Sequence, residues 1–181
     1  MNYTCFDTKI GHLYLIGDNK GICRLFFNIN SKKFNIDSKI FNINNSNSIN
    51  DNYEKYLKKE YLRNDVFFEE AKKQLLEYFD GRRKIFNLKL NIIGTEFQKK
   101  VWNELLNIPY AELRTYKDIA IAVGNPNGSR AIGMANNKNP IPIIIPCHRV
   151  IGTNNNLVGY AYGIEVKKYL IELENNNKFY G

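Results

Sequence analysis

Apolar residues near the N-terminus alternate with polar ones on either side of a short turn signal. Leu13 and Leu15 are followed by Gly17-Asp18-Asn19 and then by a second apolar run. Alternation with a period of two around a turn rich in Gly, Asp and Asn is typical of paired antiparallel strands. We therefore predict a β-hairpin within residues 3–27, with apolar positions at Leu13, Leu15, Ile22, Leu25 and Phe27.

The next segment, residues 28–52, is rich in asparagine, and its isoleucine and phenylalanine recur only at loose two-residue spacing. This composition suits either an irregular strand with a long loop or a low-complexity insertion. We predict a strand near residues 33–43 and a mobile loop at 44–51.

Two helices are predicted between this segment and the middle of the chain. Tyr53 to Leu62 is weakly amphipathic, and a stronger helical pattern stops at Gly81. The apolar face of that second helix consists of Phe68, Ala71, Leu75 and Phe79. We expect residues 82–94 to form a linker with a short extended piece.

Two capping boxes mark helix starts in the second half of the chain. In each, a threonine is followed three residues later by a side chain that can bond back to it: Gln98 after Thr95, and Asp118 after Thr115. The first helix should end by Pro109 and bury Phe97, Val101, Trp102 and Leu105. The second should end at Gly124-Asn125-Pro126 and bury Ile119, Ala120 and Val123.

A further short helix, Ser129 to Asn136, follows this Gly/Pro turn directly. Two short helices joined by a tight turn are what a helix-turn-helix requires, although an ordinary helical hairpin gives the same pattern. The last helix has an apolar face of Val166, Tyr169, Leu170 and Leu173. We expect its charged residues to face elsewhere, namely Lys167, Lys168, Glu172 and Glu174.

Composition narrows the class of protein. The 181 residues suffice for one domain or two small ones, and they include neither a transmembrane-length apolar run nor a secretory signal pattern. We therefore expect a cytosolic or nuclear protein without a membrane partner. Lys and Arg exceed Asp and Glu by 26 to 18, which favours a polyanionic partner, although many basic proteins bind no nucleic acid.

The three cysteines are expected to be reduced thiols rather than a disulfide framework. Cys5, Cys23 and His12 lack a clear fourth ligand, so we predict no metal site and assign both cysteines to core packing.

Residues 139–150 carry the most unusual pattern in the chain. Pro140, Pro142 and Pro146 lie within seven positions, which excludes a helix and a central strand. We predict an extended, stiff, apolar backbone that passes through the core and ends at Cys147.

A thiol in such surroundings has a raised pKa and needs a nearby base to react. His148 is adjacent to Cys147, but neighbouring side chains of an extended chain point to opposite faces. A turn at Pro146 or a bridging water would therefore be required, and Glu172 or Glu174 could orient the histidine. Alternatively, Cys147 is a small buried hydrophobe and His148 an ordinary core residue.

These residues also form a family pattern. The sequence resembles the O6-alkylguanine-DNA alkyltransferases, also called methylated-DNA–protein-cysteine methyltransferases, strongly over residues 94–174 and more loosely over residues 3–88. The matching motifs are Pro146-Cys-His-Arg-Val150, Asn139-Pro140, Gly94-Thr-x-Phe-Gln-x-x-Val-Trp102, Ile108-Pro-Tyr110, Tyr116, Ile119-Ala120, Gly124-Asn125-Pro126, Arg130-Ala-Ile-Gly133, Gly159-Tyr160, Gly163, Lys167, Glu174, Gly11-x-Leu-x-Leu15 and Gln74-Leu-x-x-Tyr-Phe-x-Gly81.

The resemblance implies an α+β fold. Residues 1–88 would form a ribonuclease-H-like antiparallel sheet domain with a helix. Residues 89–181 would form a mainly helical, winged-helix-like domain that carries the helix-turn-helix, binds DNA and transfers the alkyl group.

The resemblance also implies direct DNA repair. A monomer would flip O6-alkylguanine, and as a further candidate O4-alkylthymine, out of double-stranded DNA through the minor groove. It would then move the alkyl group to its own cysteine, once per molecule and without a cofactor.

The implied catalytic residues are Cys147, His148, Glu174, Asn139 and Tyr116. His148, oriented by Glu174, would take the Cys147 proton through a water. Asn139 would support the bend that presents the thiol, and Tyr116 would donate to guanine N3.

For DNA binding, the resemblance implies that Arg130 fills the gap that the flipped base leaves in the duplex. It also implies that Tyr116 rotates the phosphate of that nucleotide outward. The small residues Ala131, Gly133 and Ala135 would let the helix approach the DNA closely.

The implied base pocket has apolar walls from Pro142 and Tyr160, with backbone groups near Cys147 and Val150 reading the guanine amine. Ala161 replaces a frequent serine, and Tyr162 stands where glycine is common. We therefore expect a narrower mouth that disfavours bulky O6 substituents.

Two further departures are Ala111 in place of the usual glycine and Met134, which adds bulk to the recognition helix.

Three other functions fit parts of the pattern. An alkyl-lesion sensor would flip the base without repairing it, but such proteins lack the active-site cysteine that Cys147 supplies. An unrelated Cys/His hydrolase would need an oxyanion hole and would turn over repeatedly. A transcription factor would use the helix-turn-helix alone.

Overall fold

The computed structural model describes residues 1–29 and 59–179. The chain divides into two units, Met1–Asn91 and Ile92–Gly181. The strand predicted near residues 33–43 and the loop predicted at 44–51 lie outside the described residues. Among the residues that are described, no helix is both long and apolar enough to cross a membrane.

The first unit is built on an antiparallel sheet. Strands β1 (Asn2–Thr8), β2 (Gly11–Asp18) and β3 (Gly21–Ile29) follow one another along the chain, and β2 lies between β1 and β3 in the sheet. The predicted hairpin is confirmed as β2 and β3, and β1 extends it by pairing with β2 along its whole length. All five predicted apolar positions of the hairpin are buried.

The short strand β4 (Leu62–Arg63) runs parallel to β1. Its position corrects the predicted helix from Tyr53 to Leu62, because Leu62 pairs with Asn2 in the sheet. Lys59 and Glu60 are helical, and residues 53–58 of that prediction lie outside the described part of the chain.

Helix α1 (Glu69–Phe79) confirms the second helix prediction. The predicted face is buried, and the chain leaves the helix through Gly81 at a φ of 76°, which favours glycine. Residues beyond it return to the sheet, since Ile22 and Lys89, and then Asn91 and Ile22, are joined by backbone hydrogen bonds.

Over residues 92–179, the second unit contains four α-helices and a small parallel pair of strands. The helices are α2 (Glu96–Leu106), α3 (Tyr116–Ala122), α4 (Ser129–Asn137) and α5 (Ile164–Asn176). The strands are β5 (Arg114–Thr115) and β6 (Val150–Ile151). Both capping boxes are formed as predicted, at Thr95 with Gln98 and at Thr115 with Asp118. Together with the sheet of the first unit, these elements confirm the α+β class.

Two expectations for this unit were wrong. Lys167 and Glu174 do not face outward from α5 but are 0% and 1% exposed. The proline-rich segment is buried as predicted but not extended, because Ile143 has a φ of 73° and the Ile145 N–H bonds back to the carbonyl of Ile141. Its prolines exclude regular structure, yet the chain still turns tightly between them.

Candidate active site

Cys147 lies at the end of this turning segment, in a short 3₁₀ turn (Cys147–Arg149) that follows Pro146. Only 6% of the residue is exposed. The Asn139 amide spans the segment: its Nδ2 donates to the Ile145 carbonyl (2.8 Å) and to Cys147 Sγ (3.1 Å). Its Oδ1 accepts from the Ile141 N–H (3.0 Å). Asn139 therefore fixes both the bend and the sulfur.

The thiol of Cys147 is protonated at neutral pH in this setting. Burial raises its pKa to about 11, against the opposing effects of the Asn139 hydrogen bond and the Lys167 charge. A thiolate therefore requires a base that accepts the proton.

Cys147 and His148 share the 3₁₀ turn after Pro146, so their side chains are not forced to opposite faces as they would be in an extended chain. His148 is fully buried, and its Nε2 lies 2.8 Å from Oε1 of Glu174. Burial lowers the pKa of His148, although the Glu174 carboxylate opposes this effect. The ring is therefore neutral at pH 7 and can accept a proton at its second nitrogen, Nδ1.

Glu174 is held by more than the histidine. Arg149 donates through Nε to Oε2 (2.9 Å) and through Nη2 to Oε1 (3.0 Å), and the Ala111 N–H donates to Oε2 (3.0 Å). Burial alone would raise the pKa of Glu174, but His148 and Arg149 outweigh it and hold that pKa well below its usual value. Ala111 reaches this carboxylate at a φ of 60°, a conformation that explains a preference for glycine there.

Lys167 forms a second buried charged group beside Cys147. Its Nζ donates to the carbonyl oxygens of Val150 (2.5 Å) and Val158 (2.8 Å), and lies 5.8 Å from the Tyr116 ring centroid. Burial lowers the pKa of Lys167 to about 8, which the Cys147 thiol partly offsets. The Tyr116 hydroxyl lies 3.2 Å from the Val158 carbonyl oxygen and 3.1 Å from that of Gly159, so the lysine and the tyrosine bind the same loop.

Two aromatic rings line the same region. The centroids of Tyr160 and Tyr162 are 5.8 Å apart, and Tyr162 is 6% exposed. Burial, and then the neighbouring Cys147, raise the pKa of Tyr160 well above its usual value. Pro142 and Val150 are buried, whereas Ala161 is exposed.

The predicted DNA-facing residues of α4 separate into two groups. Arg130 is exposed, and Ala131 and Gly133 are partly so. Ala135 corrects the prediction, because it is 2% exposed and its carbonyl accepts a hydrogen bond from Trp102 Nε1 (2.8 Å). Met134, by contrast, is 68% exposed, one helical turn beyond Arg130.

Sequence reasoning did not assign Arg149 to the site. The available signal was its position directly after His148 in the Pro146–Val150 motif, and the structure shows that it bonds the same carboxylate as His148. Among the described residues, no cluster of His, Cys, Asp and Glu could hold a metal ion.

Similarity to known proteins decides the family. The model of the 6-O-methylguanine DNA methyltransferase DNA binding domain matches residues 96–176, and the model of the ribonuclease-like domain matches residues 1–92. A methylated-DNA–protein-cysteine methyltransferase of Methanosarcina acetivorans is 45% identical over 174 residues, which are 96% of this chain and 98% of that protein. The chain belongs to the 6-O-methylguanine DNA methyltransferase family.

Other members agree with this assignment. A constitutive methylated-DNA–protein-cysteine methyltransferase of Bacillus subtilis is 56% identical over 106 residues, 58% of this chain and 64% of that protein. The crystal structure of Mycobacterium tuberculosis OGT in complex with DNA superposes with a TM-score of 0.78 at 36% identity, covering 98% of this chain and 94% of that one. The resemblance inferred from the Pro146–Val150 motif is therefore confirmed, and the first unit corresponds to the family's ribonuclease-like domain.

Proposed function

We propose that this methyltransferase repairs DNA directly, by moving the alkyl group from O6 of an alkylated guanine to the sulfur of its own Cys147. The observation that carries the proposal is the single thiol held by Asn139 beside the His148–Glu174 pair. Relatives named for transfer from methylated DNA to a protein cysteine support it, as does the DNA complex of the M. tuberculosis protein.

The first step makes the nucleophile. His148 takes the Cys147 proton, through a water, at the ring nitrogen that does not face Glu174. The resulting imidazolium lies against the Glu174 carboxylate, which Arg149 and the Ala111 N–H keep ionised and fixed. The same proton transfer leaves a thiolate next to the Asn139 amide and Lys167, both of which favour the ionised sulfur.

The second step moves the alkyl group. The thiolate attacks the alkyl carbon in line, the carbon–oxygen bond breaks, and its electron pair stays with guanine. A hydrogen bond donated by the Tyr116 hydroxyl to N3 stabilises the negative charge on the leaving base, which takes up from solvent a proton equivalent to the one that His148 later releases. The product is a thioether, which these residues cannot hydrolyse, so each molecule reacts once and needs no cofactor.

Access to the base requires flipping, because a buried thiol cannot reach O6 inside the stack. The exposed face of α4 would enter the minor groove with Arg130 in the gap left by the base, while Ala131 and Gly133 permit close approach. Tyr116 would rotate the phosphate outward. The protein would therefore act wherever the cell keeps its DNA, in the cytoplasm of a prokaryote or the nucleus of a eukaryote.

A titration with excess substrate tests this proposal. A duplex containing O6-methylguanine is mixed with the protein at several ratios, and repaired guanine is counted. We expect one repaired base per protein and none with Cys147→Ala, which should still bind the duplex. Continued turnover would indicate a hydrolase, and binding without repair by the unaltered protein would indicate a lesion sensor.

A further inference from the structure

Met134 is a long apolar side chain on the solvent-facing side of α4. The helix buries Ile132 and Ala135 on its inner side, whereas Met134 is 68% exposed. Single apolar residues on a protein surface are common, so exposure alone does not mark a site. Met134 differs from other exposed apolar residues because it lies on the helix face that the proposed function brings to DNA.

Met134 and Arg130 share one exposed stripe of this helix. Four residues separate them, which is one turn and about 6 Å along the helix axis. Ala131 and Gly133 lie beside this stripe, are partly exposed and have almost no side chain. Where α4 approaches DNA through these small residues, the side chains of Arg130 and Met134 therefore extend furthest toward the bases. Because base pairs stack about 3.4 Å apart, Met134 reaches a pair one or two steps from the gap that Arg130 fills.

The minor-groove edges of the base pairs differ in one polar group. Every pair presents acceptors there, and G·C adds the 2-amino group of guanine, a donor that A·T lacks. The Met134 thioether is apolar and at most a weak acceptor. Pressed against a G·C pair, it would remove water from the amino group without replacing the hydrogen bond, which costs free energy. An apolar side chain at this position of α4 therefore favours A·T pairs.

We propose that Met134 sets the sequence context of repair, by contacting the minor-groove edge of a base pair beside the flipped lesion and favouring A·T over G·C there. Methionine and other apolar side chains serve several minor-groove-binding proteins as wedges against base steps. This inference rests on the proposed function and names the class of duplex that the DNA-facing helix selects.

The test varies only the minor-groove amino group near the lesion. Single-turnover rates of methyl transfer to Cys147 are measured at limiting protein concentration, so that they include DNA binding. The two base pairs on each side of O6-methylguanine are A·T, G·C, hypoxanthine·cytosine, which lacks the amino group, or 2,6-diaminopurine·thymine, which has it. We expect each pair without the amino group to be repaired about tenfold faster than its counterpart with it.

Two variants at position 134 assign this preference to the side chain. Met134→Ala should remove most of the preference, whereas Met134→Leu, which keeps an apolar side chain of similar size, should retain it. Because Met134 is exposed, neither substitution should disturb folding. Leu106→Ala provides the matched control, since Leu106 is another exposed apolar residue but lies at the end of α2, outside the helix-turn-helix. This variant should keep the preference of the unaltered protein.

The outcomes separate this inference from the proposed function. An undiminished preference in Met134→Ala would overturn the inference. Equal acceleration of all four duplexes by Met134→Ala would also overturn it, because the side chain would then only obstruct close approach. Equal rates on all four duplexes with the unaltered protein would overturn it while leaving alkyl transfer intact. Absence of any methyl on Cys147 would overturn the proposed function as well.

Discussion

Glu174 accepts hydrogen bonds from His148, from Arg149 and from the Ala111 backbone, although it is almost completely buried. A buried carboxylate is tolerated only when opposite charge and donors replace the water that it loses. Arg149 supplies the permanent positive charge, while His148 must stay neutral until it receives the thiol proton. The arginine stabilises the carboxylate, but its charge also lowers the pKa of His148, an effect that the Glu174 carboxylate opposes.

Arg149→Met tests this role of the arginine. Removal of one partner of a buried ion pair leaves an uncompensated charge, and we expect a loss of about 3 kcal/mol in the free energy of unfolding. Arg149→Lys, which restores the charge with fewer donors, should lose less. Denaturant unfolding measures both variants. Arg82→Met removes an exposed ion pair with Asp80 and should change stability by less than about 1 kcal/mol. Equal losses at positions 149 and 82 would contradict the assignment.

Acid unfolding tests the ionised state of Glu174. Its folded pKa lies below the usual value of 4.5, so its contribution to stability is fully present above that pH and is lost as the pH falls toward the folded pKa. We expect the free energy of unfolding to drop below about pH 4.5 more steeply in the unaltered protein than in Glu174→Gln. Glu172→Gln, at an exposed position of the same helix, should retain the steep dependence. If the free energy of unfolding depended on pH in the same way in Glu174→Gln and in the unaltered protein, Glu174 would not be ionised in the folded state.

At the scale of elements, sequence motifs predicted correctly those features that depend on contacts between residues close together in the chain. The capping boxes at Thr95 and Thr115 fixed the starts of α2 and α3, because each joins residues only three apart. The burial of Lys167 could not be predicted in this way, since its partners are carbonyls at residues 150 and 158. Helical periodicity separates apolar from charged residues, so it predicts that a lysine is exposed. It cannot detect that carbonyl groups far away in the sequence bind this lysine in the interior.

In the site, too, sequence motifs predicted some features, whereas contacts between other parts of the chain determined the rest. The family resemblance carried by the Pro146–Val150 motif predicted Cys147, His148 and Glu174 as site residues. The structure places His148 2.8 Å from Glu174 and puts Cys147 and His148 in one 3₁₀ turn. The prolines could not reveal that the chain turns back at Ile143, because backbone bonds and the Asn139 amide set that turn.

The two capping boxes provide a matched pair of variants. Thr95→Ala and Thr115→Ala each remove a side chain that caps a helix, and each should reduce the free energy of unfolding by about 1 kcal/mol. Only Thr115 directly precedes Tyr116, so only its variant should slow methyl transfer in a single-turnover assay. Equal transfer rates in the two variants would show that the start of α3 does not position Tyr116.

At the scale of the whole molecule, the net charge of +8 should govern how DNA is held. Contacts to phosphates release counterions, so we expect the logarithm of the DNA affinity to fall linearly with the logarithm of salt concentration. Arg130→Ala, on the exposed face of α4, should lower the affinity, because it removes a positive charge from that face and the side chain proposed to fill the gap. Arg24→Ala, an exposed arginine on β3, should leave the slope unchanged. An affinity independent of salt would contradict an electrostatic interface.

The most direct test of the central claim follows the alkyl group itself. A duplex carrying O6-methylguanine with an isotope-labelled methyl is reacted with the protein, and peptides containing each of the three cysteines are analysed by mass spectrometry. We predict one labelled methyl per molecule, on Cys147, with Cys5 and Cys23 unmodified and the guanine restored. Label on another residue, or label released into solution while the guanine is restored, would contradict the account.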